Sequence, residues 1–188
     1  MNNKIRAKVR ENYYYIDTDF RTAIKCQQIA TDSEIDDNER ALAIIYTLYG
    51  EKGLETPKDF EKLLELGLKY LSFGQEVKNN EEPDMDFIQD YDYIKASFRS
   101  DYGINLDKEE MSWKEFYSLL NGLSNSEFGN CCILNRIRNL RTFDLSEIKD
   151  SKTREKIVKA QKEVALKKPK TYKQKELDEY WDKILGGD

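Results

Sequence analysis

Residues 36–50 read DDNERALAIIYTLYG and encode a helix with an acidic start, an apolar middle and a glycine stop. Asp36 and Asp37 favour the N-terminus, because acidic side chains interact well with the positive end of the helix dipole. Gly50 favours the other end, since glycine readily adopts the left-handed conformation in which helices often stop. Residues 41–49 are apolar on nearly every face, so the pattern predicts a buried central helix.

Two further helices follow this one. Thr56 can cap the first of them with Pro57 in its first turn, and Gly74 marks its end. Its apolar positions share one stripe: Phe60, Leu63, Leu64, Gly67 and Leu71. The second has the strongest helical periodicity of the chain and ends at Gly103. Its apolar residues recur every three or four positions: Phe87, Tyr91, Ile94, Phe98 and Tyr102.

Later helices are predicted from start signals, in which a capping side chain is followed three residues on by Glu or Gln. These signals are Ser112 with Glu115, Ser124 with Glu127, Asp144 with Glu147 and Thr171 with Gln174. The helix after Asp144 should run towards Leu166 and be mostly exposed, because its apolar stripe is thin. At the N-terminus, Ile5, Ala7 and Val9 alternate with cations, which suits a strand or hairpin. The fold class is therefore all-α: a mainly helical domain that allows a short N-terminal strand or hairpin.

Charge is distributed unevenly along the chain. Residues 31–107 hold 19 Asp or Glu against 8 Lys or Arg, whereas residues 136–175 hold 5 against 14. We expect a helical domain over residues 1–150, with an acidic loop at about 75–86, and a basic helical C-terminal extension over residues 151–188. The basic stretch either meets an acidic surface, on residues 31–107 or on a partner, or binds nucleic acid. Nucleic acid is disfavoured because only one aromatic residue interrupts the lysines.

The residue types argue against an enzyme. The chain has no histidine, the side chain whose charge most readily changes near neutral pH. Three cysteines without CxxC spacing, Cys26, Cys131 and Cys132, suit neither a disulfide framework nor a zinc site, and Cys131 and Cys132 are predicted to be small core residues. The aspartates 84, 86, 90 and 92 have no glycine turn among them, so we interpret them as solvated helix caps rather than a cation site. No catalytic, cofactor-binding or metal-binding residue is predicted.

Aromatic side chains are the candidate partner-binding residues, because interfaces are enriched in tyrosine and tryptophan. The chain has 12 tyrosines and 2 tryptophans. One group, for which burial in the core is the competing interpretation, lies on predicted helices: Tyr46, Tyr49, Tyr91, Trp113 and Tyr117. A second group lies on a predicted amphipathic helix near the C-terminus: Leu177, Tyr180, Trp181 and Ile184. That helix either enters a groove on another molecule or docks on its own domain.

Several blocks of sequence, in this order, resemble the gene-product-fifteen family of tailed bacteriophages that infect Gram-positive hosts. They are Asp17-Thr18-Asp19-Phe20-Arg21, residues 41–50, residues 92–98, residues 102–106, Trp113-Lys114-Glu115-Phe116, residues 119–124 and residues 144–149. The resemblance covers roughly residues 16–166. It implies a non-enzymatic tail-assembly chaperone in the host cytoplasm, whose partners are the phage tape-measure protein and other tail-assembly proteins. Self-association is left open, and no membrane partner is expected. The alternative is a nucleic-acid-binding or regulatory phage protein that acts through its lysine-rich C-terminal segment.

Overall fold

The computed structural model describes residues 4–75, 83–126, 130–146 and 148–167. Within those residues lie an antiparallel hairpin and seven α-helices, which confirms the mainly helical prediction and the N-terminal hairpin. The strands are β1 (Ile5–Val9) and β2 (Asn12–Ile16), and the helices are α1 (Phe20–Thr31), α2 (Asp37–Tyr49), α3 (Phe60–Leu71), α4 (Tyr91–Tyr102), α5 (Trp113–Asn121), α6 (Ile133–Thr142) and α7 (Ser151–Val164). Contacts divide the described chain into a first unit containing residues 4–75 and a second containing residues 83–166. None of the described helices is long and apolar enough to cross a membrane.

Helix α2 is central to the first unit, because it contacts α1, α3 and β2. Its ends match the prediction. The Asp36 carboxylate accepts hydrogen bonds from two backbone amides in a capping box, and Gly50 ends the helix with a φ of 69°. The burial predicted for this helix is incomplete. Ile44, Ile45 and Leu48 are buried, whereas Leu42 and Tyr46, one turn apart on another face, are exposed.

Helix α3 begins differently from the prediction. Residues Pro57–Asp59 form one turn of 3-10 helix before it, and the Thr56 side chain makes no cap. The predicted stripe is largely confirmed, since Leu63 and Leu71 are buried. Gly67 allows α3 to approach α2 closely: a Cβ atom there would lie 2.6 Å from Cδ1 of Leu48.

The hairpin alternates as the sequence predicts. Ala7 pairs with Tyr14 and Val9 with Asn12, while the neighbouring pairs Arg6–Tyr15 and Lys8–Tyr13 point to the opposite face. Val9 and Tyr14 are buried on the inner face, together with Ile16. The outer face is exposed and combines cations with tyrosines.

Stacked aromatic rings form the core of the second unit. Phe116 of α5 lies between Phe98 of α4, 5.2 Å between ring centroids, and Trp113, 5.7 Å away. Gly103 ends α4 in the left-handed conformation, and the Ser112 hydroxyl accepts a hydrogen bond from the Glu115 amide at the start of α5. The end of α4 and the start of α5 are therefore where the sequence predicts them.

The start predicted at Ser124 is wrong. The Ser124 amide instead donates to the Asp101 carboxylate, and its carbonyl accepts from the Cys132 amide. Helix α6 begins at Ile133, and Cys132 caps it with its sulfur. Cys132 is buried as predicted, whereas Cys131 is only half-buried. Glu127 lies outside the described residues.

The start predicted at Asp144 is also wrong. The Asp144 carboxylate accepts from the amide and hydroxyl of Ser146, a local turn that is not followed by a helix. Helix α7 begins seven residues later, capped by Asp150, which accepts from the Thr153 amide. No residue of α7 is fully buried, so its predicted exposure is confirmed. The start at Thr171 lies outside the described residues.

Two aspartates that the sequence suggested were solvated caps form ion pairs with α6. The Asp90 side chain is only 1% exposed and binds both terminal nitrogens of Arg141 at 2.7 Å. Asp84 binds Arg138 at 2.8 Å. The interpretation therefore fails for Asp84 and Asp90. It holds for Asp92, whose side chain is exposed.

Arg141 joins three parts of the second unit. Besides the Asp90 carboxylate, its guanidinium donates to the carbonyl oxygen of Asp84 at 2.9 Å and to that of Val164, the last residue of α7, at 2.6 Å. Gln161 adds two bonds from α7 to carbonyl oxygens at the end of α6. Helix α7, assigned from the sequence to a C-terminal extension, is therefore fastened to α6.

We expect Asp90→Asn to lower the free energy of unfolding of the second unit by about 3 kcal/mol, because it leaves the largely buried Arg141 charge without its carboxylate partner. The measurement is urea denaturation followed by Trp113 fluorescence, in a Trp181→Phe background so that only Trp113 reports. Asp92→Asn is the matched control. It removes an exposed carboxylate and should cost less than about 1 kcal/mol. Equal losses in the two variants would contradict a structural role for the buried pair.

Candidate functional site

An apolar groove lies in the first unit between the inner face of the hairpin and α3. Its volume is about 440 Å³. We call it the hairpin groove and define it by its apolar residues, Ile5, Ala7, Ile16, Leu66, Tyr70 and Phe73, and by three further lining residues, Arg6, Lys8 and Lys69. The sheet beside α3 has two strands, and apolar side chains on both walls of the groove are partly exposed. Ile5 is 47% exposed and Phe73 is 36% exposed.

The end of α3 presents Phe73 to the groove. The Gly74 amide donates to the Lys69 carbonyl oxygen at 2.8 Å, which turns the chain back over the last turn of the helix. Phe73 takes a φ of 54° in this turn, a conformation that costs free energy in most residues other than glycine. Strain of this kind persists only where the surroundings enforce it. The backbone therefore places a large ring at the groove rather than leaving its position to a loose loop.

Tyr70 is fixed in the wall of the groove. Its hydroxyl donates to the Thr18 carbonyl oxygen at 3.4 Å. Burial, with a smaller contribution from the nearby carboxylates of Asp17 and Asp19, raises the pKa of Tyr70 to about 12. At neutral pH the ring is uncharged, so it contributes an apolar surface to the groove.

A buried carboxylate holds the hairpin against the start of α3. Asp59 is inaccessible to solvent and accepts hydrogen bonds from the Asn12 amide at 2.9 Å and the Tyr14 hydroxyl at 2.8 Å. Arg10, in the turn of the hairpin, lies 3.6 Å from its other oxygen. The Asn12 bond, the Tyr14 bond and the Arg10 charge lower the pKa of Asp59, against the opposing effect of burial. Asp59 is thus charged at neutral pH and fixes one wall of the groove.

The groove offers mainly apolar surface. Arg6, Lys8 and Lys69 are among its lining residues, and no Asp or Glu is among the described residues that line it. The charged ends of Arg6 and Lys8 lie 4.8 Å and 5.7 Å from the centre of the Tyr13 ring on the outer face of the hairpin, in cation–π contacts, so these two charges do not face the groove. The arrangement can bind an apolar side chain in its floor.

The predicted partner-binding residues fall into three environments. Tyr46 is 50% exposed on α2, and Tyr91 and Tyr117 are half-buried in the second unit. Tyr49 and Trp113 are buried, so neither can touch a partner while the chain is folded. Burial raises the pKa of Tyr49, whose hydroxyl donates to the Leu63 carbonyl oxygen. The remaining four, Leu177, Tyr180, Trp181 and Ile184, lie outside the described residues.

None of the residues that form the hairpin groove was predicted to bind a partner. The alternation in β1 does predict an inner face containing Ile5, but an inner face is expected to be covered. Phe73 follows the apolar stripe of α3 and resembles one more core position. The one local signal in the sequence is Gly74, because glycine often ends a helix in a turn that uses the left-handed conformation.

Helix α7 carries the basic surface that the alternative function requires. A shallow depression of about 390 Å³ runs along it, lined by residues of this helix alone: Ser151, Arg154, Glu155, Val158, Lys159 and Lys162. Its walls are exposed side chains of both charges. Burial raises the pKa of the Cys26 thiol, which lies in the first unit, to about 12, so Cys26 is not a reactive thiol.

Comparison with known protein families identifies a match over most of the chain. The model of the family described as Bacteriophage Gp15 protein matches residues 1–166. No curated protein and no solved structure matches the chain. The matched range contains every described helix and the hairpin, and therefore the whole groove.

Tyr14→Phe should raise the pKa of Asp59 towards its ordinary value, because the carboxylate loses a donor. A carboxyl whose pKa is lowered by folding adds stability above its unfolded pKa, about 3.9, and this stability is lost as the pH falls through the folded pKa. The variant should therefore be less stable than the wild type at pH 7, and the difference should shrink below about pH 4. Carboxyl ¹³C NMR titration and urea denaturation at pH 7 and pH 3 measure both effects. An unchanged Asp59 titration would contradict the prediction.

Proposed function

The chain belongs to the Bacteriophage Gp15 protein family, and we propose that it is a tail-assembly chaperone that binds the phage tape-measure protein in the host cytoplasm. It shields the apolar stripe of its client until the tail tube assembles around it. The protein acts by binding rather than by catalysis. The observation that supports the proposal best is the hairpin groove, an exposed apolar surface built on fixed elements.

The dimensions of the groove suit the side chains of a helix. An amphipathic helix enters an apolar groove through residues spaced three or four apart along one face. A space of about 440 Å³ is enough for two or three large apolar side chains but not for a whole helix. The client helix therefore lies on the groove and inserts only its apolar stripe.

Release of the client requires moderate affinity. Truncation of most interface residues costs less than about 1 kcal/mol, and only the few hot spots cost about 2 kcal/mol or more. Ile5 and Phe73, both partly exposed, can supply contacts of this size without a deep pocket. Tyr46 and Leu42 on the exposed face of α2 offer a second, smaller apolar contact. Several weak contacts of this kind let assembly displace the chaperone stepwise.

The alternative function, nucleic-acid binding through the lysine-rich segment, is favoured by one observation. Arg154, Lys159 and Lys162 are exposed on α7 and line the same depression. Binding to phosphates would weaken steeply with salt, whereas apolar docking would not. A titration at two salt concentrations separates the two functions.

The proposal is tested by expressing the tape-measure protein of the same phage with and without this chain, and measuring soluble tape-measure protein. We expect Ile5→Ser and Phe73→Asn to lower the soluble yield to the level found without the chain, because both remove apolar surface from the groove. Asparagine suits position 73 because it tolerates the left-handed backbone.

Phe143→Ser is the matched control, because Phe143 is 46% exposed but lies in the second unit. It should leave the yield unchanged, and circular dichroism should show that all three variants are folded. If the chain leaves tape-measure solubility unchanged, the proposed function is wrong. If Phe143→Ser is as damaging as the groove variants, the groove is not the client site.

A further inference from the structure

We propose that two copies of this chain associate, with the outer face of the hairpin of one copy bound to the exposed face of α2 of the other. The first surface, which we call the hairpin outer face, consists of Arg6, Lys8, Tyr13 and Tyr15. The second surface, which we call the α2 face, consists of Glu39, Leu42 and Tyr46. Both lie in the first unit, so every copy carries both.

The hairpin outer face presents two cations and two aromatic rings. Tyr13 is 41% exposed and Tyr15 is 47% exposed. The charged ends of Arg6 and Lys8 are held over the Tyr13 ring, so these side chains lose less freedom when a partner binds. Neither strand contains an Asp or Glu. The surface therefore suits a partner that combines negative charge with apolar side chains.

The α2 face has these two properties. Leu42 and Tyr46 are exposed one turn apart, and Glu39 lies one turn before Leu42 on the same side of the helix. Arg40, the one cation in the sequence of α2, pairs with Asp37. Glu39 has no ion-pair partner among the described residues. The α2 face is thus an apolar stripe with an unneutralised negative charge at one end.

The two surfaces are complementary in both charge and apolar character. Contact between them would remove Leu42 and Tyr46 from water against the hairpin tyrosines, while opposite charges set the orientation of the copies and speed their encounter. A nucleic acid would match the cations of the hairpin outer face but would leave the α2 face exposed. A second copy covers both surfaces, and this favours it as the occupant.

The contact cannot form within one chain. The Asp17 amide, directly after β2, donates to the Leu48 carbonyl oxygen of α2 at 2.8 Å. On the inner face of the hairpin, the Tyr14 hydroxyl donates to Asp59 at 2.8 Å. These bonds fix the hairpin with its outer face exposed, so the α2 face that binds it comes from another copy. A two-fold axis would repeat the contact and close the assembly as a dimer.

The inference does not rest on the function proposed above. If both hold, a second copy and the client compete for Leu42 and Tyr46, because the same two side chains are offered to each.

Sedimentation velocity of the full chain at concentrations up to about 1 mM tests the inference. We expect the mean mass of the wild type to rise with concentration at low salt, and to rise less at about 0.5 M salt, because salt screens the charges. Lys8→Glu and Glu39→Lys should each lower the association constant by about tenfold. An equimolar mixture of these two variants should associate nearly as well as the wild type, because the reversed charges then face each other.

Two charge controls lie in the second unit. Lys108→Glu and Glu110→Lys make the same changes of net charge at exposed positions, and both should associate like the wild type. Glu39→Gln keeps a side chain that can form the capping box of α2 but removes the charge, so it should also weaken association. Circular dichroism should show that every variant is folded.

A wild type that stays monomeric at about 1 mM would overturn the inference. A mixture of Lys8→Glu and Glu39→Lys that associates no better than either variant alone would also overturn it, because the two surfaces would then not meet. Association that nuclease treatment abolishes would assign the hairpin outer face to nucleic acid instead. None of these measurements uses a client, so failure of the inference and failure of the chaperone function are distinguishable.

Discussion

A carboxylate that is buried away from water needs hydrogen-bond donors, and each unit of this chain supplies them to one buried aspartate. In the second unit, Asp90 receives both terminal nitrogens of Arg141 and a further bond from the Asp86 amide. In the first, Asp59 receives the Asn12 amide and the Tyr14 hydroxyl. Both aspartates directly precede a helix, Asp90 before α4 and Asp59 before α3, and neither side chain caps that helix. Because an unpaired buried charge is so costly, these contacts restrict which elements can lie together.

The elements that the sequence predicts well are those whose signals are local. The capping box and glycine stop of α2, the glycine stop of α4 and the alternation of the hairpin each depend on residues within a few positions of one another. The start signals that fail are also local, but tertiary contacts override them. Ser124 uses its backbone groups to bind Asp101 and Cys132, which come from other parts of the chain. The propensity of a single cap, worth about 1 kcal/mol, is easily outweighed by several such bonds.

The candidate site could be predicted only in part, for a related reason. Aromatic residues on apolar helical stripes were expected to be either partner-binding or buried, and the sequence alone does not separate the two. The structure buries Trp113 between neighbouring rings and Tyr49 against α3, while it exposes Tyr46. The groove depends on how two strands lie across α3, a long-range arrangement without a periodic signature. Asp84 and Asp90 pair with residues of α6 that lie more than 50 positions later in the sequence. The local composition is typical of a solvated loop and therefore does not predict these pairs.

The four hydrogen bonds of Arg141 have a consequence for how this fold can evolve. They use Nε once, one terminal nitrogen twice and the other once, and they reach a carboxylate and two separate carbonyl oxygens. Lysine offers three donors from a single point and cannot reproduce that planar fork. Relatives that conserve the pairing of α6 with the start of α4 must therefore keep arginine at this position, or exchange it together with Asp90 for a pair of apolar residues. Such correlated substitution would mark the pair in any set of related sequences.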